Sequence, residues 1–403
     1  MKSFPAPFTR NSAAYHKALP LIITSAIMAY SLKHGPQPLL PQIAETFSLS
    51  PARASLVVAS EMMGMSVMLL IVIVASEFMD RKKITGFSLL AAGALALAQA
   101  ASPSFGLIVG LRFAQGMLLG TFPALMVSYI NEEFDSGLTG QMIGIYLGST
   151  AAGGLLGRFL TTLLSGFTGW RTAFVLLGTA GVLTAVVYLL FLPVRGESRP
   201  PARFGSIRRT VLPLLSDMRL LLLDGIGFIL MGTFAAIYTY ITFVLLSPPY
   251  NFSRVQLAPI FFLQICGTVS STLSGKFCDR FGNSRVLTVS LLIMLAGSLI
   301  TLPISVFLKC AGLAVFIAGM FAAHTAATSW ISRLPGINKA STTSTYMLFY
   351  YIGGGLLSVA GGILYHSSGW HGVIAMIASA SVLSLVLVRL LLSCGTQCRD
   401  TSR

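Results

Sequence analysis

The sequence predicts an all-α integral membrane protein with twelve transmembrane helices in two pseudo-symmetric six-helix bundles. Three observations predict this fold: the composition, the spacing of the apolar segments and an internal repeat. Of the 403 residues, 55% are hydrophobic and only 10% are charged, and the mean hydropathy is +0.81. Soluble domains carry about 25% charged residues. This chain lacks the polar groups to cover a surface in water, so we expect lipid to surround most of it.

Twelve apolar segments are each long enough to cross a bilayer, which takes about 20 residues. They are 18–44, 52–76, 84–102, 104–130, 138–164, 171–193, 220–247, 255–277, 285–307, 309–332, 340–365 and 370–393. Their connections are short, except for a basic stretch that contains Pro200 and Pro201. We therefore predict an N-terminal bundle in 1–193, a cytoplasmic linker in 194–219, and a C-terminal bundle with a short tail in 220–403.

Three short motifs occur twice, about 200 residues apart. They pair Ser76–Arg81 with Gly275–Arg280, Gly153–Leu156 with Gly354–Leu357, and Gly169–Arg171 with Gly369–His371. The offsets are 199, 201 and 200 residues, which indicates a duplicated unit. Duplicated halves of membrane transporters face one another across a central site and move around it. The repeat therefore predicts a carrier built from two related bundles.

Basic residues are distributed unevenly between the two sides of the predicted membrane. With both termini on one side, that side carries 20 of the 27 lysines and arginines, and the opposite side carries four. Cytoplasmic loops are enriched in Lys and Arg, so we expect both termini in the cytoplasm of a bacterium and a multi-pass location in its inner membrane. The net charge of +15 follows from this pattern. It forms no basic face or tail, which excludes a nucleic-acid partner.

The sequence predicts no cofactor, no metal and no enzymatic reaction. Cys394 and Cys398 in the tail lack neighbouring His or Cys partners, so they are expected to be free thiols. No Gly-x-x-x-x-Gly-Lys-Ser/Thr loop occurs, which argues against ATP as the driver. No nucleophile and base occur at a spacing that an intramembrane enzyme would need.

A loop in the second half resembles a family signature. Residues Gly275–Gly282, with the sequence Gly-Lys-Phe-Cys-Asp-Arg-Phe-Gly, are similar to the loop after the second helix in the major facilitator superfamily. The first half has a shortened form, with Ser76 in place of the first glycine. In this family such residues allow close helix approach and hold closed states by ion pairs and helix-dipole contacts. The resemblance implies gating roles for Asp80, Arg81, Gly275, Asp279, Arg280 and Gly282.

A motif in the fourth helix extends this resemblance, which covers essentially the whole chain. Arg112–Gly116 is similar to the Arg-x-x-Gln-Gly motif of proton-coupled members. The fifth helix has small residues at helical spacing, but Ser149 and Thr150 stand where efflux members have Gly-Pro. The resemblance implies a secondary transporter that works by alternating access, most similar to bacterial drug and metabolite exporters. The missing Gly-Pro pair leaves antiport and symport both open.

Four charged residues of the first half lie inside predicted helices at similar depths. They are Lys33, Glu61, Arg112 and Arg158. A charge at mid-bilayer costs about 2.5–3.5 kcal/mol, so each needs a partner or a function. One interpretation is an ion pair of Glu61 with Arg158 or Lys33 that holds helices together. The other is a positive pocket for an anionic or zwitterionic solute, with Glu61 as the protonatable group and Arg112 tuning it.

The second half contributes fewer ionisable groups. We expect Asp224 to reach back to Arg219 or to the cytoplasm, with proton carrying as the alternative. We expect His324 to be a neutral, hydrogen-bonded histidine, with a titrating role as the alternative. Aromatic residues of this half would suit an amphiphilic substrate. The predicted proton-coupling residues are Glu61 and Arg112. The predicted substrate-binding residues are Lys33, His34, Glu61, Arg112, Arg158, Tyr238, His324 and Tyr346.

These features predict a monomeric secondary active transporter whose partners are a small-molecule substrate, protons and the lipid bilayer. The first interpretation is proton-coupled efflux of a small amphiphilic or organic-anion molecule by alternating access. Three alternatives stay open. They are a proton-coupled uptake symporter of an organic acid or sugar-like solute, a lipid or lysolipid flippase of the same fold, and a non-transporting membrane sensor.

Overall fold

The computed structural model describes residues 7–75, 80–195, 216–334 and 339–400. The helices of the first half are α1 (Ala13–His34), α2 (Leu40–Phe47), α3 (Pro51–Ala54), α4 (Leu56–Ala75), α5 (Arg81–Ala100), α6 (Phe105–Gly120), α7 (Phe122–Glu133), α8 (Ser136–Thr168) and α9 (Trp170–Phe191). Those of the second half are α10 (Met218–Leu246), α11 (Arg254–Leu257), α12 (Gln264–Phe281), α13 (Asn283–Ile300), α14 (Val306–Ser332) and α15 (Lys339–Asp400). Short 3₁₀ segments, Gln37–Leu39 and Ala258–Leu263, follow α1 and α11.

Each of the twelve predicted segments coincides with helix, so the predicted fold class is confirmed. Four segments are divided: the first is interrupted at Gly35 and Pro36, and the second, fourth and eighth also contain breaks. The eleventh and twelfth segments run together as α15, which bends at Gly369 (φ +59°). Most of the predicted linker, 196–215, lies outside the described residues, as do positions 76–79 of the first loop motif.

Nine helical stretches in the described ranges are long and apolar enough to cross a membrane. One of them, 342–393, comprises both limbs of α15. Helices α1 and α8 are not among the nine, and these two carry Lys33, His34 and Arg158. Large apolar side chains cover the outside, among them Leu190 at 68% and Phe307 at 77% exposure, as expected for a lipid-facing surface.

Glycines set the closest helix contacts in both halves at equivalent places. A Cβ on Gly153 of α8 would lie 2.8 Å from Ile27 Cα of α1. A Cβ on Gly353 of α15 would lie 2.6 Å from Phe228 Cα of α10. These contacts relate α8 to α15 by an offset of 200, one residue less than the 201 of the repeated Gly-Gly-Leu-Leu motif. The sequence favours the other register because Gly354–Leu357 repeats all four residues of Gly153–Leu156, whereas Gly353–Leu356 repeats only three of them.

The two halves are joined on the side of the membrane opposite the chain termini. There, Phe159 of α8 and Phe262 of the 3₁₀ segment have ring centroids 4.8 Å apart, and a Cβ on Gly362 of α15 would lie 2.5 Å from Ala52 Cα. An exposed ion pair joins Arg254 to Glu45 at 3.1 Å. This side is therefore closed by contacts between the halves.

Helix α8 runs on from these contacts toward the side of the termini without meeting the second half. Gly140, Gly144 and Gly148 recur every four residues, which places them on the face that meets the second half further along the helix. A Cβ on any of them would meet nothing within 4 Å. The same holds for Gly275 on α12. Helices α8 and α12 are thus apart at these positions, on the side of the termini.

Candidate functional site

Arg112 braces three helices of the first half. Its Nε donates to the Val57 carbonyl at 3.2 Å, and its two Nη atoms donate to the carbonyls of Leu32 at 3.2 Å and Lys33 at 3.1 Å. Nη1 also donates to Gln115 Oε1 at 2.6 Å. The side chain is fully buried. Four neutral acceptors and the Glu61 carboxylate, 3.5 Å from Nη2, therefore surround the guanidinium, so the charge of Arg112 already has an ionisable partner.

Glu61 pairs with this brace. Its Oε2 lies 3.5 Å from Arg112 Nη2, while its Oε1 has no hydrogen-bond partner. Gly116 permits the arrangement because a Cβ there would lie 2.9 Å from Glu61 Cα. The structural interpretation that paired Glu61 with Arg158 or Lys33 is therefore wrong. Arg158 instead bonds to His34 and Gln37 at the kinked end of α1. Arg112 reaches Glu61 because Gly116 of α6 allows α4 to approach closely.

Lys33 lies beside this pair under an aromatic cover. It is 5% exposed, and its Nζ lies 4.2 Å from the ring centroid of Tyr351 and 5.3 Å from that of Tyr30. Tyr351 belongs to α15, so a cation of the first half meets a ring of the second. Cation–π contacts hold an ammonium without neutralising it. These contacts place Lys33 at the boundary between the halves.

Arg158 is the hub between the two halves. Its Nε donates to Gln37 Oε1 at 2.9 Å, and its Nη1 donates to Gln264 Oε1 at 2.8 Å and to the Gly154 carbonyl at 3.2 Å. Its Nη2 lies 3.0 Å from His34 Nδ1. Arginine cannot accept a hydrogen bond, so His34 accepts at Nδ1 and carries its proton on Nε2. Every acceptor that the described residues give this buried cation is neutral.

Amides and rings of the second half complete the hub. Gln37 Nε2 donates to Thr239 Oγ1 at 3.0 Å and to the Ala235 carbonyl at 3.2 Å, both on α10. The guanidinium of Arg158 lies 4.7 Å from the centroid of Tyr238, whose ring stacks on Phe261 at 5.9 Å. The hydrogen bonds around Arg158 therefore also join the two halves and help to close the side opposite the termini.

His324 and Tyr346 form a second group, apart from the charged layer. His324 Nδ1 lies 3.0 Å from the Tyr346 hydroxyl, and its ring lies 4.8 Å from that of Tyr350. Tyr350 in turn contacts Tyr351 at 5.6 Å, which covers Lys33. A row of aromatic rings along α15 thus connects this group to the charged layer. His324 has the hydrogen bond expected of a neutral histidine.

Asp224 differs from its prediction. Arg219, its expected partner, forms an ion pair with Asp217 at 2.8 Å. Among the residues that the structure describes, both oxygens of Asp224 lack a hydrogen-bond partner, and the residue is 1% exposed. Asp217 caps α10, and its side chain accepts from the Arg219 amide at the helix start. Asp217 thus holds Arg219 at the end of the helix, and the Asp224 carboxylate is buried without a hydrogen-bond partner among the described residues.

The predicted gating residues lie at helix ends on the side of the termini. Asp80 caps α5 by accepting from the Lys83 amide at 3.0 Å, and Arg81 pairs with Glu132 at 3.0 Å. Asp279 pairs with Arg333 of its own half at 2.5 Å. Arg280 lies 5.2 Å from the ring of Phe281, and Gly282 has φ +85° as α12 turns into α13. In this conformation Arg81 pairs within the first half and Asp279 pairs within the second half. The gating role stays a prediction.

The predicted layer of charges is thus a physical cluster. Arg112 contacts Glu61 and the Lys33 carbonyl, and Arg158 contacts Tyr238 and His34, the residue after Lys33. Prediction from the sequence missed Gln37 and Gln264, the two amides that occupy Arg158. Their signal was a glutamine inside an apolar segment, where a buried amide needs partners of its own. Thr239 and Tyr351 carried no signal that distinguishes them from neighbouring residues.

The family model of the Major Facilitator Superfamily matches residues 21–336 and 260–397 of the chain. The chain belongs to the major facilitator superfamily. It is 32% identical over 379 residues to the MFS-type transporter YybF of Bacillus subtilis, covering 94% of each chain. It is 30% identical to the inner membrane transport protein YnfM of Escherichia coli, covering 96% of this chain and 93% of the relative. The protein is therefore a multi-pass membrane transporter of this superfamily.

Two solved structures share the fold at low sequence identity. A bacterial homologue of the human lysosomal transporter Spinster, in an inward-facing and unoccupied conformation, superposes with a TM-score of 0.70 at 15% identity, covering 94% of this chain and 96% of that one. The nucleoside transporter NupG, as its D323A mutant, gives a TM-score of 0.72 at 16% identity over 93% and 99% of the two chains. At these identities the likeness concerns the fold alone.

Proposed function

We propose that this superfamily member transports a small organic anion across the bacterial inner membrane, coupled to protons through Glu61. The observation that carries the proposal is Arg158, a buried arginine whose four acceptors are all neutral. Hydrogen bonds to an ionised partner are about twice as strong as those between neutral groups. A carboxylate or sulfonate that reaches Arg158 is therefore expected to displace the amides of Gln37 and Gln264.

The same displacement explains how binding drives movement. Gln264 belongs to α12 of the second half, and Gln37 also bonds to Thr239 of α10. An anion that takes over the guanidinium weakens the polar contacts that close the side opposite the termini. The diverging faces of α8 and α12 give it an entry from the other side, which is the cytoplasm if the termini have their predicted location. Substrate binding would then favour the alternate conformation, in which the side opposite the termini is open.

An aromatic or otherwise apolar portion of the substrate has a complementary surface. The rings of Tyr238 and Tyr351 lie against the two cations Arg158 and Lys33. Such rings contact an apolar ligand with their faces and offer hydroxyls at their edges. A small amphiphilic anion fits both the charge and the lining of this cluster.

The direction of transport follows from the sign of the coupling between anion and proton. The charges of Arg112, Lys33 and Arg158 all act on Glu61. An anion at Arg158 adds negative charge to this field, which favours the protonated form of Glu61, and by reciprocity a protonated Glu61 favours the anion. Such positive coupling moves anion and proton together, as in uptake by symport. We therefore propose proton–anion symport as the first candidate.

Proton-coupled export, the first interpretation of the sequence, is the second candidate. A relative with 26% identity over 67% of this chain and 69% of its own length is named as the multi-drug resistance efflux pump PmrA of Streptococcus pneumoniae. Exchange of substrate for protons requires that protonation weakens substrate binding. The two candidates therefore predict opposite effects of pH on affinity.

Binding of benzenesulfonate to the purified protein tests the proposal, because this anion stays ionised across the pH range. Benzenesulfonamide, a neutral analogue, is the matched probe. We expect the sulfonate to stabilise the protein against heat. We expect Arg158→Gln to weaken sulfonate binding at least about tenfold, since a hydrogen bond to a charged group contributes about 1.5–3 kcal/mol. Arg171→Gln, which removes an arginine that bonds to the carbonyls of Ala100 and Ser102 at the end of α5, is the control and is expected to bind normally.

The pH dependence of the same measurement distinguishes the two directions. Symport predicts tighter sulfonate binding at low pH and loss of this dependence in Glu61→Gln. Export by exchange predicts tighter binding at high pH. Equal affinity for sulfonate and sulfonamide, or unchanged binding in Arg158→Gln, would contradict the anion site itself.

A further inference from the structure

Asp224 is a buried carboxylate of the second half that none of the proposed steps uses. It lies on α10, about 9 Å from the start of that helix at about 1.5 Å per residue. It is 1% exposed, and neither oxygen has a hydrogen-bond partner in the described part of the chain. An isolated ionised carboxylate inside a protein costs several kcal/mol, and such a group neutralises instead. The geometry therefore requires something that removes the charge.

The groups that face Asp224 do not remove the charge. On α15 the ring of Tyr346 packs at Gly227, where an added Cβ would lie 2.8 Å from Tyr346 Cζ, and Gly227 shares a helix face with Asp224. The hydroxyl of Tyr346 bonds to His324 of α14 at 3.0 Å. The later limb of α15 contributes Leu387 at Gly225.

The basic residues nearest along these helices are engaged or turned away. Arg219 on the same helix forms its ion pair with Asp217 at 2.8 Å. Arg333 at the end of α14 pairs with Asp279 at 2.5 Å. Arg389 on α15 is exposed. Among the described residues, the contacts place the Tyr346 phenol on the helix face of Asp224, and this phenol bonds to the His324 imidazole.

We propose that Asp224 is a proton-binding site of the second half, occupied in this conformation and separate from Glu61. A proton needs one carboxylate oxygen and nothing else, whereas a metal cation with oxygen ligands needs several around it. Tyr346 acts as a positioning residue, because its ring closes the space beside Asp224 and its hydroxyl is fixed by His324. The inference does not depend on Glu61 carrying a proton.

The location determines which side supplies this proton. Asp224 lies near the end of α10 that faces the termini, where α8 and α12 diverge. The opposite side is closed by the hydrogen bonds of Gln37 to Thr239 and of Arg158 to Gln264. We therefore expect the proton of Asp224 to exchange with the side of the termini in this conformation.

Infrared spectroscopy of the full-length purified protein tests the inference without any substrate. A protonated buried carboxyl has a carbonyl band that is distinct from the bands of ionised carboxylates. We expect such a band in the wild type, and we expect Asp224→Asn to remove it. Asp217→Asn is the matched control, because the Arg219 guanidinium holds the pKa of Asp217 below its ordinary value and Asp217 is ionised.

Three further variants make the result decisive. Asp224→Glu keeps a carboxyl and is expected to shift the band, which covers the case in which Asp224→Asn does not fold. Tyr346→Phe is expected to keep the band and to move the pH at which it titrates. Glu61→Gln is expected to leave this band in place, so the outcome is independent of the role proposed for Glu61.

Several outcomes would overturn the inference. The band could be unchanged in both Asp224→Asn and Asp224→Glu, or it could disappear only in Glu61→Gln. Heat stabilisation by sodium chloride relative to choline chloride, present in the wild type and lost in Asp224→Asn, would show a bound metal cation in place of the proton.

Discussion

The two halves of the protein share a scaffold but differ in where they place charge. Both pack a glycine of the fifth or eleventh span on the backbone of the first or seventh, through Gly153 and Gly353. Both turn into their last span at a glycine with positive φ, Gly169 (+83°) and Gly369 (+59°). The first half buries three cations and one carboxylate in one layer, whereas the second half buries Asp224 without a charged partner.

The difference separates what the fold requires from what the site requires. Repeated glycines occur where backbones approach closely, and such contacts leave no choice of residue in either half. The Arg-x-x-Gln-Gly motif occurs only in the first half: at 312 in the second half a glycine packs against Gly297 and Thr301. The two halves thus share the glycine contacts of the scaffold but carry different sets of ionisable groups.

The largest expected effect comes from removing the brace of the first half. Arg112→Gln leaves Glu61 buried without its ion pair and is expected to cost about 3–5 kcal/mol of stability. Glu61→Gln is expected to cost less, because the backbone acceptors still hold Arg112. Thermal unfolding of the purified variants in detergent measures both.

The double variant Glu61→Gln/Arg112→Gln is the control for this prediction. It should be more stable than Arg112→Gln alone, since no unpaired carboxylate remains. Two single losses that simply add would show that the two side chains act independently, and the first half would then lack the coupled pair that distinguishes it.

An intermediate effect is expected at the shared glycine contacts. Gly153→Ala and Gly353→Ala each place a Cβ against a backbone and are expected to lose about 1–3 kcal/mol by overpacking. Gly148→Ala on the same helix as Gly153 meets nothing within 4 Å and is expected to leave stability unchanged. Thermal unfolding compares the three.

The comparison of the two halves depends on the first two variants losing similar amounts. A large loss in Gly153→Ala with none in Gly353→Ala would mean that the halves are packed differently. A loss in Gly148→Ala as large as in Gly153→Ala would contradict the divergence of α8 from the second half.

Much of the fold and part of the site were predictable from the sequence, for identifiable reasons. Hydrophobic length determines the spans, so all twelve segments were found, and the cost of a buried charge identified Lys33, Glu61, Arg112 and Arg158 as one layer. Their partners were not predictable, because the rotation of each helix depends on packing and on the kink at Gly35 and Pro36. The sequence therefore suggested Arg158 or Lys33 for Glu61, where the structure has Arg112.

Neutral polar residues were the main omission. Gln37 and Gln264 come from segments far apart in the chain, and their contact with Arg158 exists only when the two halves meet. That Asp224 has no partner among the described residues was missed for the related reason that Arg219, five residues earlier in the chain, was the expected partner. Charge alone predicts that a partner is needed, and only the packed helices show which partner is reached.

The smallest expected effect concerns the cation that contacts a tryptophan ring and the carbonyls at the end of α5 or α13. The two halves supply this cation from different helices. In the first half Arg171 donates to the carbonyls of Ala100 at 2.7 Å and Ser102 at 3.1 Å, at the end of α5, and lies 4.5 Å from the Trp170 ring. In the second half the residue after Trp370 is a histidine. There, Lys309 of α14 donates to the Thr301 carbonyl at 2.5 Å and lies 5.2 Å from the Trp370 ring.

Lys309→Met is expected to cost about 1 kcal/mol, because it leaves the last carbonyls of α13 without a cation at the negative end of the helix dipole. Adding His371→Arg rebuilds the arrangement of the first half and is expected to restore most of that loss, which thermal unfolding measures. His371→Arg alone, with Lys309 already in place, should gain little. Failure of the double variant to recover would show that the equivalent glycine turns at 169 and 369 do not present the following residues in equivalent directions, and the scaffold symmetry would then end before the last span of each half.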